Sequence, residues 1–324
     1  MPKRYQRISQ IINDFAVGNL QRDSYWAEMQ RFHLGLIDYC DQVKDSELER
    51  IEINGRELQV VLKNSLRFVW HPEDIRAAPS MLVNHGSYEP IELAVIERLA
   101  QFCQIAFDVG ANIGFYTLHM ERQLKEAGGH VYAFEPVPKT FAELQRNIEL
   151  NRFGDVISSL NLALGEAAGT VELFIPNSSG SVAASRRQLF PQEANESVNC
   201  KMVTLDEFVQ DKKLNRVDLI KCDVEGSELY VLRGGIHMIK TYKPIIMLEM
   251  LRKWAEKFGY HPNEIISMLK LQGYQCWYFE DGHLQELVSM DESCAQTNFF
   301  FMHSLKHKTV LQVLSGFTAQ GFRG

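Results

Sequence analysis

Several ionisable residues in this chain stand where short apolar runs end, and their types limit the chemistry open to them. Residues 105–109, Ile-Ala-Phe-Asp-Val, read as a buried strand carrying Asp108 near its end, and Gly110-Ala-Asn-Ile-Gly114 follows at once. Gly110 permits a tight turn, and Gly114 lets a helix or a ligand approach closely. Backbone N–H groups and a carboxylate would then meet at the carboxyl end of a strand, the edge of open α/β sheets where ligands bind. The G-x-G-x-x-G dinucleotide fingerprint is not met, because Asn112 takes the place of its second glycine. A carboxylate beside that first turn repels a pyrophosphate and attracts an ammonium or another cation. Glu135 ends the next apolar run, Val131-Tyr-Ala-Phe-Glu135, 25 residues after Gly110. An acid there can accept both hydroxyls of a ribose.

Asp108 alone also reads as a helix N-cap, and Glu135 alone as a surface acid before Pro136. Together, at the ends of neighbouring parallel strands, they point to an adenosyl ligand with a cationic end, and S-adenosylmethionine supplies both an α-ammonium and a sulfonium. A third group lies further on, in Ile220-Lys-Cys-Asp-Val-Glu-Gly226. Asp223 and Glu225 are two residues apart and share one face if the chain is extended. Either can act as the base that takes a proton from an acceptor hydroxyl, with Lys221 pairing with Asp223 or orienting the substrate. The competing reading has Asp223 ordering the cofactor loop and Glu225 capping a helix that starts at 226–227. Hard oxygen ligands from Asp223, Glu225 and Glu249 could also bridge a divalent metal; that reading is not favoured, and no metal is assigned. His303 and His307, four apart but with no carboxylate motif, read as surface residues, and Arg186-Arg187 as a solvated pair or a greeting point for an anionic acceptor.

The elements that must position these groups follow from hydrophobic periodicity. Short apolar runs at 105–109, 131–134, 157–164, 217–222, 245–248, 275–279 and 298–302 alternate with longer amphipathic segments, the pattern of βα units feeding a parallel sheet. Residues 170–175 read as an extra strand, and the polar stretch from 176 to 199 as a loop and candidate lid. Before the sheet, residues 8–43 carry a helical period, in one or two helices. Residues 51–62 alternate around Asn54-Gly55, a dipeptide suited to a type I′ hairpin turn. The expected organisation is a helical and hairpin extension over 1–85, the main domain over 86–303 and a tail over 304–324.

Taken in order, Asp108-Val-Gly-Ala-Asn-Ile-Gly-Phe-Tyr-Thr117, Phe134-Glu-Pro136 and Ile220-Lys-Cys-Asp-Val-Glu-Gly226 resemble the FkbM family of methyltransferases. So do Tyr88-Glu-Pro90, Thr204-Leu-Asp206, Val231-Leu-Arg-Gly-Gly235 and Glu249, and the likeness runs from about 86 to 302. It implies a class I methyltransferase fold, a Rossmann-like α/β arrangement with a seven-stranded, mostly parallel sheet whose last strand is antiparallel. It also implies S-adenosylmethionine as cofactor and a hydroxyl oxygen as the usual acceptor. Carried over by position, the family pattern puts Asp108, Gly110, Ala111, Asn112, Gly114 and Thr117 around the methionine portion, with Asp223 nearby. Glu135 and Pro136 fall at the ribose, Ala163 and Leu164 beside the adenine, and Tyr88 and Glu89 over the methionine end. Cys222 departs from the aliphatic residue the family often has there, a change a buried thiol absorbs.

Bulk properties narrow the partners. A formal net charge of −7 opposes non-specific binding to nucleic acid or anionic lipid, so the expected partner is a small molecule. Six cysteines without a CxxC pair exclude a zinc ribbon and read as reduced, mostly buried thiols. With neither a signal-peptide core near the N-terminus nor an apolar run of about 20 residues, the expected location is the cytoplasm. The helical N-terminus is a plausible homodimer surface. Two other functions stand beside the methyltransferase: a nicotinamide-dependent oxidoreductase, disfavoured by Asp108 and Asn112, and an adenosyl-binding module without catalysis.

Overall fold

The computed structural model describes residues 8–124, 128–176, 184–190, 192 and 195–316. Helices α1 (Ile8–Ala16) and α2 (Arg22–Lys44) come first. They lead into a three-stranded antiparallel sheet of β1 (Leu48–Asn54), β2 (Glu57–Leu62) and β3 (Arg67–Trp70). The expected hairpin is present, with its turn displaced by one residue. Asn54 pairs with Glu57, so the loop is Gly55-Arg56, and of these only Gly55 has a positive φ, 63°. Glycine first in a two-residue loop suits a type II′ turn, and Asn54 stays in the strand. Helices α3 (Ala78–His85) and α4 (Pro90–Ala100) carry the chain to the main sheet.

That sheet alternates strand and helix as the periodicity predicts: β4 (Ile105–Val109), α5 (Phe115–Leu124), β5 (His130–Phe134), α6 (Pro138–Asn151), β6 (Ile157–Leu160). A small second sheet then interrupts, from β7 (Ala163–Leu164), β8 (Gly169–Pro176) and β9 (Asn195–Val203), in the order β7-β9-β8. The main fold resumes with α7 (Leu205–Asp211), β10 (Leu219–Cys222), α8 (Glu228–Arg233), α9 (Ile236–Tyr242), β11 (Ile245–Glu249), α10 (Arg252–Ala255) and α11 (Pro262–Lys270). It ends with β12 (Tyr274–Glu280), β13 (His283–Leu287), β14 (Asn298–His303) and α12 (Lys308–Ser315). Thr204 and Glu207 form a capping box that starts α7, and Pro138 and Pro262 open α6 and α11 where the missing N–H costs nothing.

Strand order in the main sheet is β13-β12-β14-β11-β10-β4-β5-β6. Strands β6, β5, β4, β10 and β11 are parallel, and β14 inserts antiparallel between β11 and β12. These are the seven strands of a class I methyltransferase sheet; β13, a hairpin partner of β12, adds an eighth at the edge. Alternate residues feed two cores. Ala106, Val131, Leu219 and Met247 face a layer shared with α4, α5 and the small N-terminal sheet, while Phe107, Val109, Ile220 and Leu248 face α7, α8, α9 and α11.

Three expectations are corrected. The single strand over 157–164 breaks at Asn161, whose side-chain amide donates to the carbonyls of Glu135 and Pro136 at 2.9 Å, so Ala163 and Leu164 pair with β9 instead. The stretch from 176 to 199 is not a loop to its end, because β9 begins at Asn195 and pairs antiparallel with β8; residues 177–183, 191 and 193–194 of the candidate lid lie outside the described residues. His303 and His307 are buried rather than on the surface. The His303 N–H donates to His307 Nδ1 at 2.9 Å, and burial lowers both imidazoles, His307 to about 4, so they pack neutral. No helix among the described residues is long and apolar enough to cross a membrane.

Candidate active site

The carboxyl ends of β4, β5, β10 and β11 open into a cavity of about 1200 Å³, its solvent mouth included. Tyr88, Glu89, Gly110, Ala111, Asn112, Glu135, Pro136, Ala163, Leu164, Lys221, Asp223 and Glu225 all line it. Asp108, Gly114 and Thr117 do not: Asp108 and Thr117 are fully buried behind the wall, joined by a 2.5 Å bond from Thr117 Oγ1 to Asp108 Oδ2. Asp108 thus meets the first turn of α5 from behind the wall, through Thr117.

The two glycines have distinct steric duties. A Cβ on Gly110, at φ 77°, would lie 1.9 Å from the carbonyl oxygen of Asp223, so the turns after β4 and β10 touch backbone to backbone. A Cβ on Gly114 would lie 2.6 Å from Leu144 Cδ1; this glycine makes room for α6 rather than for a ligand. Within the loop, the N–H groups of Gly110 and Ala111 donate to Phe134 O, and Gly114 to Ala111 O. Asn112 N–H donates to Glu135 Oε2 at 2.9 Å, and Ile113 N–H to the Asn112 side chain at 2.7 Å. The loop thus meets its own donors' needs and presents no amide nest to a phosphate.

Carboxyl groups dominate the wall. Glu135 is buried, and each oxygen accepts one backbone N–H, from Asn112 and from Val137, which leaves further lone pairs for a ligand. Burial pushes it up to about 7 against the pull of those amides. Glu89 sits at φ 46° and N-caps α4 without its side chain bonding the helix; the carboxylate instead accepts from Tyr116 Oη at 2.5 Å. Tyr116, two residues beyond Gly114, is a wall residue the sequence reading missed, as are Arg76, Leu162, Ser185 and Ser227. Tyr116, Leu162 and Ser227 adjoin the motifs already read, while Arg76 and Ser185 come from separate segments that no local pattern ties to the site.

Lys221 is the buried cation of this acidic wall. Its ammonium lies 3.1 Å from Asp223 Oδ2, 3.9 Å from Asp108 Oδ1 and 5.1 Å from the centre of the Tyr116 ring. Burial alone would lower it, but Asp223, Asp108 and Glu89 overcome that and hold it charged. A lysine so held orients Asp223 and does not itself accept a proton.

Asp223, Glu225 and Glu249 converge, their ligand oxygens within 4.8 Å of one another. The chain does not stay extended to bring this about. Glu225 takes φ 51° in a turn tied by Glu228, which accepts the N–H groups of Val224 at 3.1 Å and Gly226 at 3.0 Å. It is thus Glu228 that holds the turn before α8, and the capping role considered for Glu225 falls away. Ser185 Oγ donates to the Glu225 carbonyl at 2.8 Å, seating residues 184–190 against the turn. Burial and the neighbouring acids push Glu225 up to about 8, and Glu249 to about 10 with a hydrogen bond to Asp223. Glu89, Asn112 and Glu225, all on the wall, hold positive φ without being glycine, strain of the sort that gathers at functional sites.

Comparison with known proteins identifies the family. Residues 108–276 match the Methyltransferase FkbM domain. The chain is 31% identical over 193 residues to Methyltransferase sdnD of Sordaria araneosa, covering 52% of this chain and 72% of that protein. It is 26% identical to the hexuronic acid methyltransferase AglP of Haloferax volcanii, covering 60% of this chain and 72% of that one. It is 30% identical to the 31-O-demethyl-FK506 methyltransferase FkbM of Streptomyces tacrolimicus, covering 40% and 58% respectively. With the matched segment running from the glycine loop through the Asp223 turn to β12, the chain belongs to the FkbM methyltransferase family.

Proposed function

We propose that this methyltransferase takes its methyl group from S-adenosylmethionine and delivers it to a hydroxyl oxygen of a small acceptor. The observation that carries the reading is an acid-lined cavity beside a glycine loop whose amides are all engaged within the protein. A pyrophosphate would find there no free loop donors, and the basic Arg76, Arg186 and Lys221 are outnumbered by Glu89, Glu135, Asp223, Glu225 and Glu249, which weighs against a nicotinamide dinucleotide; a ligand bearing an ammonium would find carboxylates. The relative named for a 31-O-demethyl substrate supports oxygen as the atom methylated.

In this reading Glu135 accepts the ribose hydroxyls through its remaining lone pairs. Pro136 lies at the ribose beside Glu135, Ala163 and Leu164 border the adenine, and Tyr88, Glu89 and the Gly110–Asn112 turn hold the methionine end. Asp108 and Thr117 act from behind the wall by fixing Lys221. When bound, the cofactor supplies an electrophilic methyl group on sulfur. The protein's task is then to align the acceptor oxygen, exclude water and receive the hydroxyl proton. That proton passes to Asp223 or Glu225. Glu225, raised to about 8, has a proton affinity suited to a base working near neutral pH, and Lys221 keeps Asp223 in place.

The three converging carboxyls are also a possible oxygen set for a divalent cation. Shared protons are the simpler way to relieve their repulsion, and turnover unaffected by a chelator is the expected outcome.

A calorimetric titration tests the cofactor directly. S-adenosylhomocysteine should bind and NADH should not; the reverse result overturns the reading. If S-adenosylhomocysteine binds but is never produced with a panel of hydroxyl-bearing sugars and polyketides, the chain is an adenosyl-binding module without catalysis.

A further inference from the structure

Helix α2 spans 23 residues and buries none of them fully. One edge leans on its own chain: Tyr25 stacks on Phe15 with ring centres 4.3 Å apart, Tyr39 meets Trp70 at 6.0 Å, and Val43 packs on the core. The adjoining face turns outward, with Trp26 59%, Leu36 56% and Ile37 56% exposed, and His33 and Cys40 exposed beside them. Residues 26, 29, 33, 36 and 40 follow the alternating three- and four-residue steps of a seam between paired helices. An exposed apolar stripe interrupted only by His33 marks an interaction site.

We propose that this face pairs antiparallel with the same face of a second copy of the chain. The charges favour that occupant. Asp23 lies in the first turn of α2, flanking the stripe on the side of Ile37, and Lys44 lies in the last turn, five turns beyond Trp26 and in line with it. A two-fold axis passing between His33 and Leu36 leaves Asp23 two residues, about 3 Å along the axis, from the level of Lys44 of the partner subunit, within reach of that long side chain at each end. It also sets Met29 opposite Cys40 of the partner subunit and His33 opposite Leu36 of the partner subunit. Such a closed, self-complementary contact is what a symmetric dimer needs. A lipid surface fits less well, because α2 carries three basic against four acidic residues and has no basic face. None of the groups used here touches the cavity, so the inference does not depend on the reading of the active site.

Sedimentation of the full chain at micromolar concentration should give twice 37.2 kDa. Trp26→Glu combined with Ile37→Glu should weaken association on the order of 100-fold or more, by burying charge in the seam, while the methyltransferase stays active. Met29→Cys should form a disulfide-linked dimer on mild oxidation, and the same variant carrying Cys40→Ser should not. A monomeric wild type overturns the proposal. So does a cross-link that persists in Met29→Cys with Cys40→Ser, because it would set the two copies of residue 29 together in a parallel pair.

Discussion

Strand β10 carries an aspartate just beyond each end, and the two are treated in opposite ways. Asp218, before the strand, accepts two bonds from Arg216 at 2.8 and 2.9 Å and the N–H groups of Gln104 and Ile105 at 3.0 and 3.1 Å. Burial would raise it, but Arg216 and the two amides outweigh that and hold its carboxyl below the usual range. Asp223, after the strand, has Lys221 on one side and two further carboxyls on the other. Around it Glu135, Glu225 and Glu249 are all raised, and Asp108 Oδ1 and Glu225 Oε2 are buried without a hydrogen-bond partner. One edge of the sheet is settled by the protein's own groups. The other is left wanting protons or a cationic ligand, which is the mark of a site and not of a scaffold.

The comparison breaks most visibly if the unsettled aspartate proves dispensable. Asp223→Asn should lower turnover on the order of 100- to 10,000-fold while leaving a folded protein, as read by steady-state rates beside circular dichroism. Near-wild-type turnover there, and in Glu225→Gln, would remove both candidate bases.

A smaller effect sharpens which acid takes the proton. A base must be ionised to act, so if Glu225 is that base kcat/KM should rise with pH through about 8 and then level. Glu225→Gln should abolish that limb. An unchanged profile assigns the step to Asp223 alone.

The smallest change is expected at the settled edge. Asp218→Asn should cost roughly 1–3 kcal/mol of stability, measured by urea unfolding, and leave kcat unaltered. Its pH signature has a definite sign. A carboxyl held below its usual 3.8 contributes stability that is present above that value and lost as pH falls through the lower, folded one. The variant should therefore lose less stability than the wild type on acidification. A drop in kcat without unfolding would show that the two ends of β10 are not so distinct.

Much of this contrast was legible in the residues. The apolar runs ending in Asp108, Glu135 and Asp223 are parallel strands, and one of those strands ends at Glu249 beside the other acids. The small sheet was harder to see. In β9, Val198, Cys200 and Met202 pack inward between Asn199, Lys201 and Val203, an alternation that was present but masked by the polar Asn195-Glu-Ser start. The edge strand β13 is mostly exposed, so its apolar signal is weak for the same reason that it needs no core.

By itself the sequence determined the order of the parallel strands β4, β5, β6, β10 and β11, the turn at Gly110 and the presence of acids at the strand ends, because each rests on local period and residue type. Only the tertiary structure decided which acids face the cavity. Asp108 lies behind the wall since Thr117 and Lys221 claim it from α5 and β10. Glu225 reaches the cavity through a left-handed turn that Glu228 secures. Arg76, Tyr116 and Ser185 arrive from three unconnected segments. Proton affinity and access depend on burial and on neighbours distant in the chain, and no local spacing encodes either.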